Sequence, residues 1–139
     1  MNNHRRAGLV ILVMTSLCPN QVASTCTLSV TVLTDDYPEE TTWSLTDTCT
    51  STIIWSNANE GDLVRKTSYS FAECVPQGKY TFEINDEYGD GICCNYGIGK
   101  YTMSYKQESE DNGGYFIDTD SRTIGSCTAS PTTSVRDFQ

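Results

Sequence analysis

From residue 25 onward the chain contains no histidine; the only one is His4. That absence removes Ser-His-Asp and Cys-His catalysis, since both need an imidazole base. It also removes one of the two usual zinc ligands, and no Cys-x-x-Cys spacing supplies the other, so zinc is not expected. Positive charge is scarce too. Nine Lys and Arg stand against 18 Asp and Glu, for a net charge of −9. Nucleic acid and anionic membrane surfaces recruit basic patches, so neither is an expected partner. Cations and neutral ligands such as sugars remain compatible. No apolar run reaches the roughly 20 residues that a membrane-spanning helix needs. No window sustains helical periodicity either. A carboxylate pair for glycoside hydrolysis could be drawn from Asp86, Asp90 or the acidic 35–40 stretch. A chain this short leaves little room for a deep cleft beside its core, so the expectation is a protein that is not an enzyme.

What is present begins with a leader pattern. Arg5 and Arg6 precede an apolar run from Leu9 to Leu17, and Val22-Ala23-Ser24 follows with small residues. A basic segment, a short apolar segment and a small-residue site describe a secretory signal peptide. Residues 1–24 are therefore expected to be a signal peptide, and the protein to be secreted and extracellular. Losing Arg5 and Arg6 takes the net charge from −9 to −11.

The cysteines agree with export. Of seven, Cys18 falls in the leader, which leaves Cys26, Cys49, Cys74, Cys93, Cys94 and Cys127. An even set in a short exported chain reads as a disulfide framework. The connectivity is open from sequence. Cys26 and Cys127 bracket the domain, and a bridge between them would tie its termini together. Cys93 and Cys94 are neighbours whose side chains diverge in extended backbone. Separate partners are expected for them, with Cys49 and Cys74 as candidates.

Period two dominates the remainder. Leu28, Val30 and Val32 alternate with polar residues, as do Trp43 and Leu45, then Tyr80, Phe82 and Ile84, then Tyr101, Met103 and Tyr105. Each such run is a strand with one buried face. Shorter candidates are residues 52–56, 68–72, 115–118 and 122–126. Turn-rich pieces separate them. Seven or eight short strands at regular spacing predict an all-β, antiparallel two-sheet sandwich of jelly-roll type over residues 25–127. Residues 128–139 read as a disordered Ser/Thr-rich tail.

The stretch from Asn85 to Tyr101 is distinctive. It joins two well-patterned strands, carries four glycines from Gly89 to Gly99, and holds both Cys93 and Cys94. Long ordered loops in small domains are usually functional. Residues 79–105 resemble a small secreted module. Its marks are here Tyr80-x-Phe82-x-Ile84-x-Asp86, then Tyr88-Gly-Asp-Gly-Ile-Cys-Cys94, then Tyr96-Gly-x-Gly-x-Tyr101. Trp43-Ser44-Leu45 and Gly113-Gly114-Tyr115-Phe116 fit the same pattern. Such modules are similar to accessory β-sandwich domains in extracellular proteins of diatoms, other marine protists and microbes. They occur alone, in tandem or beside secreted peptidases. The resemblance implies a secreted domain of that class and assigns no biochemical role.

Two ligand chemistries suit the loop. Asp86, Glu87 and Asp90 place three carboxylates within five residues, and calcium takes six to eight such oxygens. The run departs from an EF-hand at Tyr88 and Gly97. The competing reading is that Asp86 and Asp90 accept hydrogen bonds from loop amides. Asp35, Asp36, Glu39 and Glu40 form a second acidic stretch, a source of further ligands or a solvated loop. For sugars, exposed rings make amphipathic platforms. Tyr37, Trp55, Tyr88 and Tyr96 fall in or near loops and are the candidates, whereas Trp43, Tyr80, Phe82, Tyr101 and Tyr105 belong to the core. The expected function is extracellular binding of a glycan or another extracellular component, with calcium as a candidate cofactor. The alternative is a structural or signalling protein that contacts another protein.

Overall fold

The structure is a computed structural model, and it describes residues 27–106 and 108–128. The expected leader, Cys26 and all but the first residue of the expected tail lie outside that range. Ten strands follow in order: β1 (Thr27–Leu33), β2 (Thr41–Asp47), β3 (Thr52–Ser56), β4 (Ser68–Cys74), β5 (Lys79–Asp86), β6 (Cys93–Cys94), β7 (Gly97–Ile98), β8 (Lys100–Tyr105), β9 (Glu108–Asn112) and β10 (Thr119–Gly125). Two four-stranded antiparallel sheets, ordered β4-β1-β8-β9 and β10-β5-β2-β3, pack against each other, and β6-β7 is a separate small ribbon. Among the described residues the only helical pieces are two 3-10 turns, Pro38–Glu40 and Asn57–Asn59.

Alternation is why these segments form these strands. β1 reads intermediate-buried throughout, with Leu28, Val30 and Val32 facing in. β5 buries Tyr80, Phe82 and Ile84, and β8 buries Tyr101, Met103 and Tyr105. The rings meet across the two sheets. Phe82 and Tyr101 have centroids 5.0 Å apart, and Tyr80 and Tyr105 meet edge-on at 5.3 Å. Such pairs add about 0.5–1.5 kcal/mol each beyond area burial. All five aromatics assigned to the core from sequence are buried.

Two expectations need correction. Residues 115–118 are not a strand; the eighth long strand is β9, whose Glu-Ser-Glu-Asp-Asn has no apolar alternation. It is an edge strand on β8 and mostly exposed, so burial imposes no pattern on it. The disulfides also differ. Cys127 bonds Cys49, with Cα atoms 5.7 Å apart, so the Cys26–Cys127 bridge does not form. The registers explain it: Asp47 opposes Tyr80 and Gly125 opposes Lys79, so both cysteines emerge at the same end of β5. Cys93 and Cys94 bond each other across a cis peptide. Neighbours in the chain thus pair with each other and not with Cys49 or Cys74. Cys74 is disulfide-bonded as well.

The topology has an internal symmetry. Exchange β1, β2, β3, β4 with β5, β8, β9, β10, and the strand order of one sheet becomes that of the other. The β1–β2 connection is therefore equivalent to the long β5–β8 connection. They start alike, with Asp35-Asp36-Tyr37 and Asp86-Glu87-Tyr88.

The buried phenols give the fold a pH dependence. Tyr80 donates to the Pro76 carbonyl at 2.6 Å, and Tyr105 donates to the same oxygen at 3.1 Å. Tyr101 donates to Asp120 Oδ2 at 2.9 Å. Desolvation, then the charge of Asp47, pushes Tyr80 up from 10.0 to about 12. Desolvation, followed by the bond to Asp120, raises Tyr101 further. A raised folded-state value means that the unfolded chain releases its protons first. Stability is then full below about pH 10 and falls between about pH 10 and 12, by about 1.4 kcal/mol per unit for each such tyrosine. Urea unfolding at two alkaline pH values checks this. Tyr80→Phe should flatten the slope by one tyrosine, with Tyr105 still donating to Pro76. An unchanged slope would assign the loss elsewhere.

Candidate functional site

The two equivalent connections meet at one end of the sandwich. Asp36 N–H donates to the Tyr96 carbonyl at 2.8 Å, and Glu87 N–H donates to the Glu40 carbonyl at 3.0 Å. Gly97, at φ +129°, lies so close that a Cβ there would stand 3.0 Å from Asp35 Cβ. Gly91, at φ +68°, packs the loop against residues 114–116; a Cβ there would stand 2.6 Å from the Phe116 carbonyl oxygen. Only glycine takes that backbone without strain while allowing the approach.

Asp86 organises the long loop. Its Oδ2 accepts from the amides of Gly89 at 2.7 Å, Asp90 at 2.9 Å and Gly91 at 3.2 Å. The side chain is buried at the last position of β5. The amide-capping role considered from sequence is therefore real for this residue. All three bonds fall on Oδ2, and none uses Oδ1. Asp35 plays a smaller version of the same part, with Oδ1 accepting from the Tyr37 amide at 2.9 Å.

Carboxylates converge beyond that cap. One oxygen each from Glu40, Asp86 and Asp90 lies within 4.8 Å of the others. Buried Asp35 adds a fourth charge nearby: desolvation raises its carboxyl first, and the charges of Asp86 and Asp90 push it the same way. Glu40 is also raised, by desolvation and then by Asp86 and Asp90. Glu87, the third acid expected here, is exposed and stands outside this cluster; Glu40 takes its place. Asp36 turns instead to Lys66, at 2.8 Å. Thr41 directly opposes Asp86 in the β2–β5 register, so both side chains leave the core face of the sheet. Thr41 is 2% exposed, and its Oγ1 has no hydrogen-bond partner among the described residues. Leaving such a group unsatisfied costs about 1–3 kcal/mol.

Above the carboxylates lies an open cleft of about 330 Å³, lined by Tyr37, Glu40, Tyr88, Asp90 and Tyr96. Tyr37 and Tyr96 meet edge to face at 5.4 Å. Tyr88 stands 76% exposed. Three of the four loop aromatics named from sequence thus share one cleft. Trp55 does not join them. It packs against Trp43 and Phe71, and its Nε1 donates to Glu60 Oε1 at 3.0 Å. The contribution of Glu40 depends on the fold, although the shared Asp-acid-Tyr openings of the two connections are a sequence signal that points to their kinship. No protein-family model, curated protein or solved structure matches this chain.

Proposed function

We propose that the protein is a secreted binding module of the extracellular β-sandwich class, and that its ligand seats in the Tyr37–Tyr88–Tyr96 cleft. The observation that carries this reading is the grouping of three tyrosines with Glu40 and Asp90 around one opening. Rings offer flat apolar contact, and carboxylates accept hydrogen bonds from hydroxyls, which together suit a glycan. The cystine bridges support an oxidising, extracellular setting. Binding without catalysis accords with the lack of any imidazole after His4.

A glycan array probed with the oxidised protein tests the reading. Specific signals are expected, with Tyr88→Ala and Tyr96→Ala each weakening binding about tenfold, near the worth of one aromatic contact. Both residues are exposed, so their removal should leave the melting midpoint nearly unchanged. An array without specific signal would sink the glycan. A second reading, contact with another protein, is favoured by exposed Tyr115 and Ile117. A Cβ at Gly89 would lie 3.7 Å from Ile117, so that apolar surface continues beside the Tyr88 loop.

A further inference from the structure

We infer that Glu40, Asp86 and Asp90, with the Thr41 hydroxyl beside them, form a site for one divalent cation of calcium's kind. The inference goes beyond the binding-module reading and does not depend on which ligand the cleft takes.

Two independent observations carry it. The first is spacing. Oxygens that share a calcium at about 2.3–2.6 Å can be no farther apart than about 5 Å. The three carboxylates offer oxygens within 4.8 Å of one another. The second is Thr41. A hydroxyl buried to 2% exposure, without a hydrogen-bond partner among the described residues, comes off the same sheet face as the Asp86 side chain and directly opposite it. Buried polar atoms are nearly always satisfied, so an orphan oxygen directly opposite a carboxylate of this cluster points to a partner that the chain itself does not supply. Hard oxygen donors of this mixture suit calcium, which also tolerates irregular geometry and water in the open positions. Asp86 serves both purposes, with Oδ2 on the loop amides and Oδ1 left for the cation. The rim tyrosines Tyr37 and Tyr96 then stand beside the bound ion.

The test uses the oxidised, full-length secreted form with calcium chloride and terbium chloride as probes, and no glycan. A hundredfold excess of calcium over its Kd should raise the melting midpoint by about 10 °C relative to EGTA. Terbium should give tyrosine-sensitised luminescence that calcium competes away. Asp90→Asn and Glu40→Gln spare the Asp86 Oδ2 cap, so both should fold; each should lose the calcium shift and most of the luminescence. Thr41→Val should weaken calcium binding while retaining luminescence at higher terbium. An unchanged wild-type midpoint together with no sensitised luminescence overturns the inference. So does a calcium shift that survives in both carboxylate variants, since the ion would then sit elsewhere. A glycan result of either sign leaves this outcome untouched.

Discussion

Replacing Asp86 with alanine should cost about 3–5 kcal/mol, measured by urea unfolding in EGTA. Three amides converge on one carboxylate oxygen. Each hydrogen bond to a charged group is worth about 1.5–3 kcal/mol, and the three do not add fully because they share an acceptor. The loss leaves the Gly91 amide buried and unpaired. A domain of this size holds only about 5–15 kcal/mol in total, so the variant should be close to unfolding at moderate temperature. Asp86→Asn retains an acceptor of the right shape but loses the charge, and an intermediate cost of about 1–2 kcal/mol is expected. Hydrogen exchange localises the effect: the amides of Gly89, Asp90 and Gly91 should lose protection before those of β5. A cost below about 0.5 kcal/mol, the range of ordinary surface changes, would refute the capping role.

Removing the Cys49–Cys127 bridge by paired serine substitution should cost about 4 kcal/mol. The bridge closes a loop of 78 residues in the unfolded chain, and the chain-entropy relation gives that magnitude for such a length. The native state has a local stake as well. The bond passes over β5 and joins the segments that follow its two neighbours, β2 and β10. The Lys79 amide at the start of β5 donates to Cys49 Sγ at 3.2 Å. β10 is an edge strand held on one side only, so it should be the first to fray without the bridge. A fall in Tm of at least about 15 °C is expected, with early exchange of the β10 amides. A loss under about 1 kcal/mol would mean that the folded state relaxes strain when the bridge is cut.

Much of the candidate site is legible in the sequence. Tyr37, Tyr88 and Tyr96 stood out as loop aromatics, and the fold gathers them. Asp86 and Asp90 stood out as paired loop acids, and they remain together because only three residues separate them and the Asp90 amide donates to Asp86 Oδ2. Glu87 was misplaced by the same logic. Sequence proximity suggested a third ligand from the same loop, but Glu87 points to solvent one position beyond the last inward residue of β5. Glu40 replaces it because the β2–β5 register sets Thr41 opposite Asp86. Trp55 was expected near a loop and open to a ligand, yet in β3 it packs on Trp43 and stays away from the cleft.

Period two is a local property, so the sequence by itself determined the strands with one buried face, their inward residues and the all-β sandwich. Composition likewise determined the acidic character and the lack of imidazole chemistry after His4. Strand order, disulfide partners and the meeting of the 34–40 and 87–99 connections were decided only by the tertiary structure. The physical reason is range. Alternation reports which face of a strand avoids water, whereas pairing Cys49 with Cys127, or Glu40 with Asp86 and Asp90, follows from registers between strands distant in the chain.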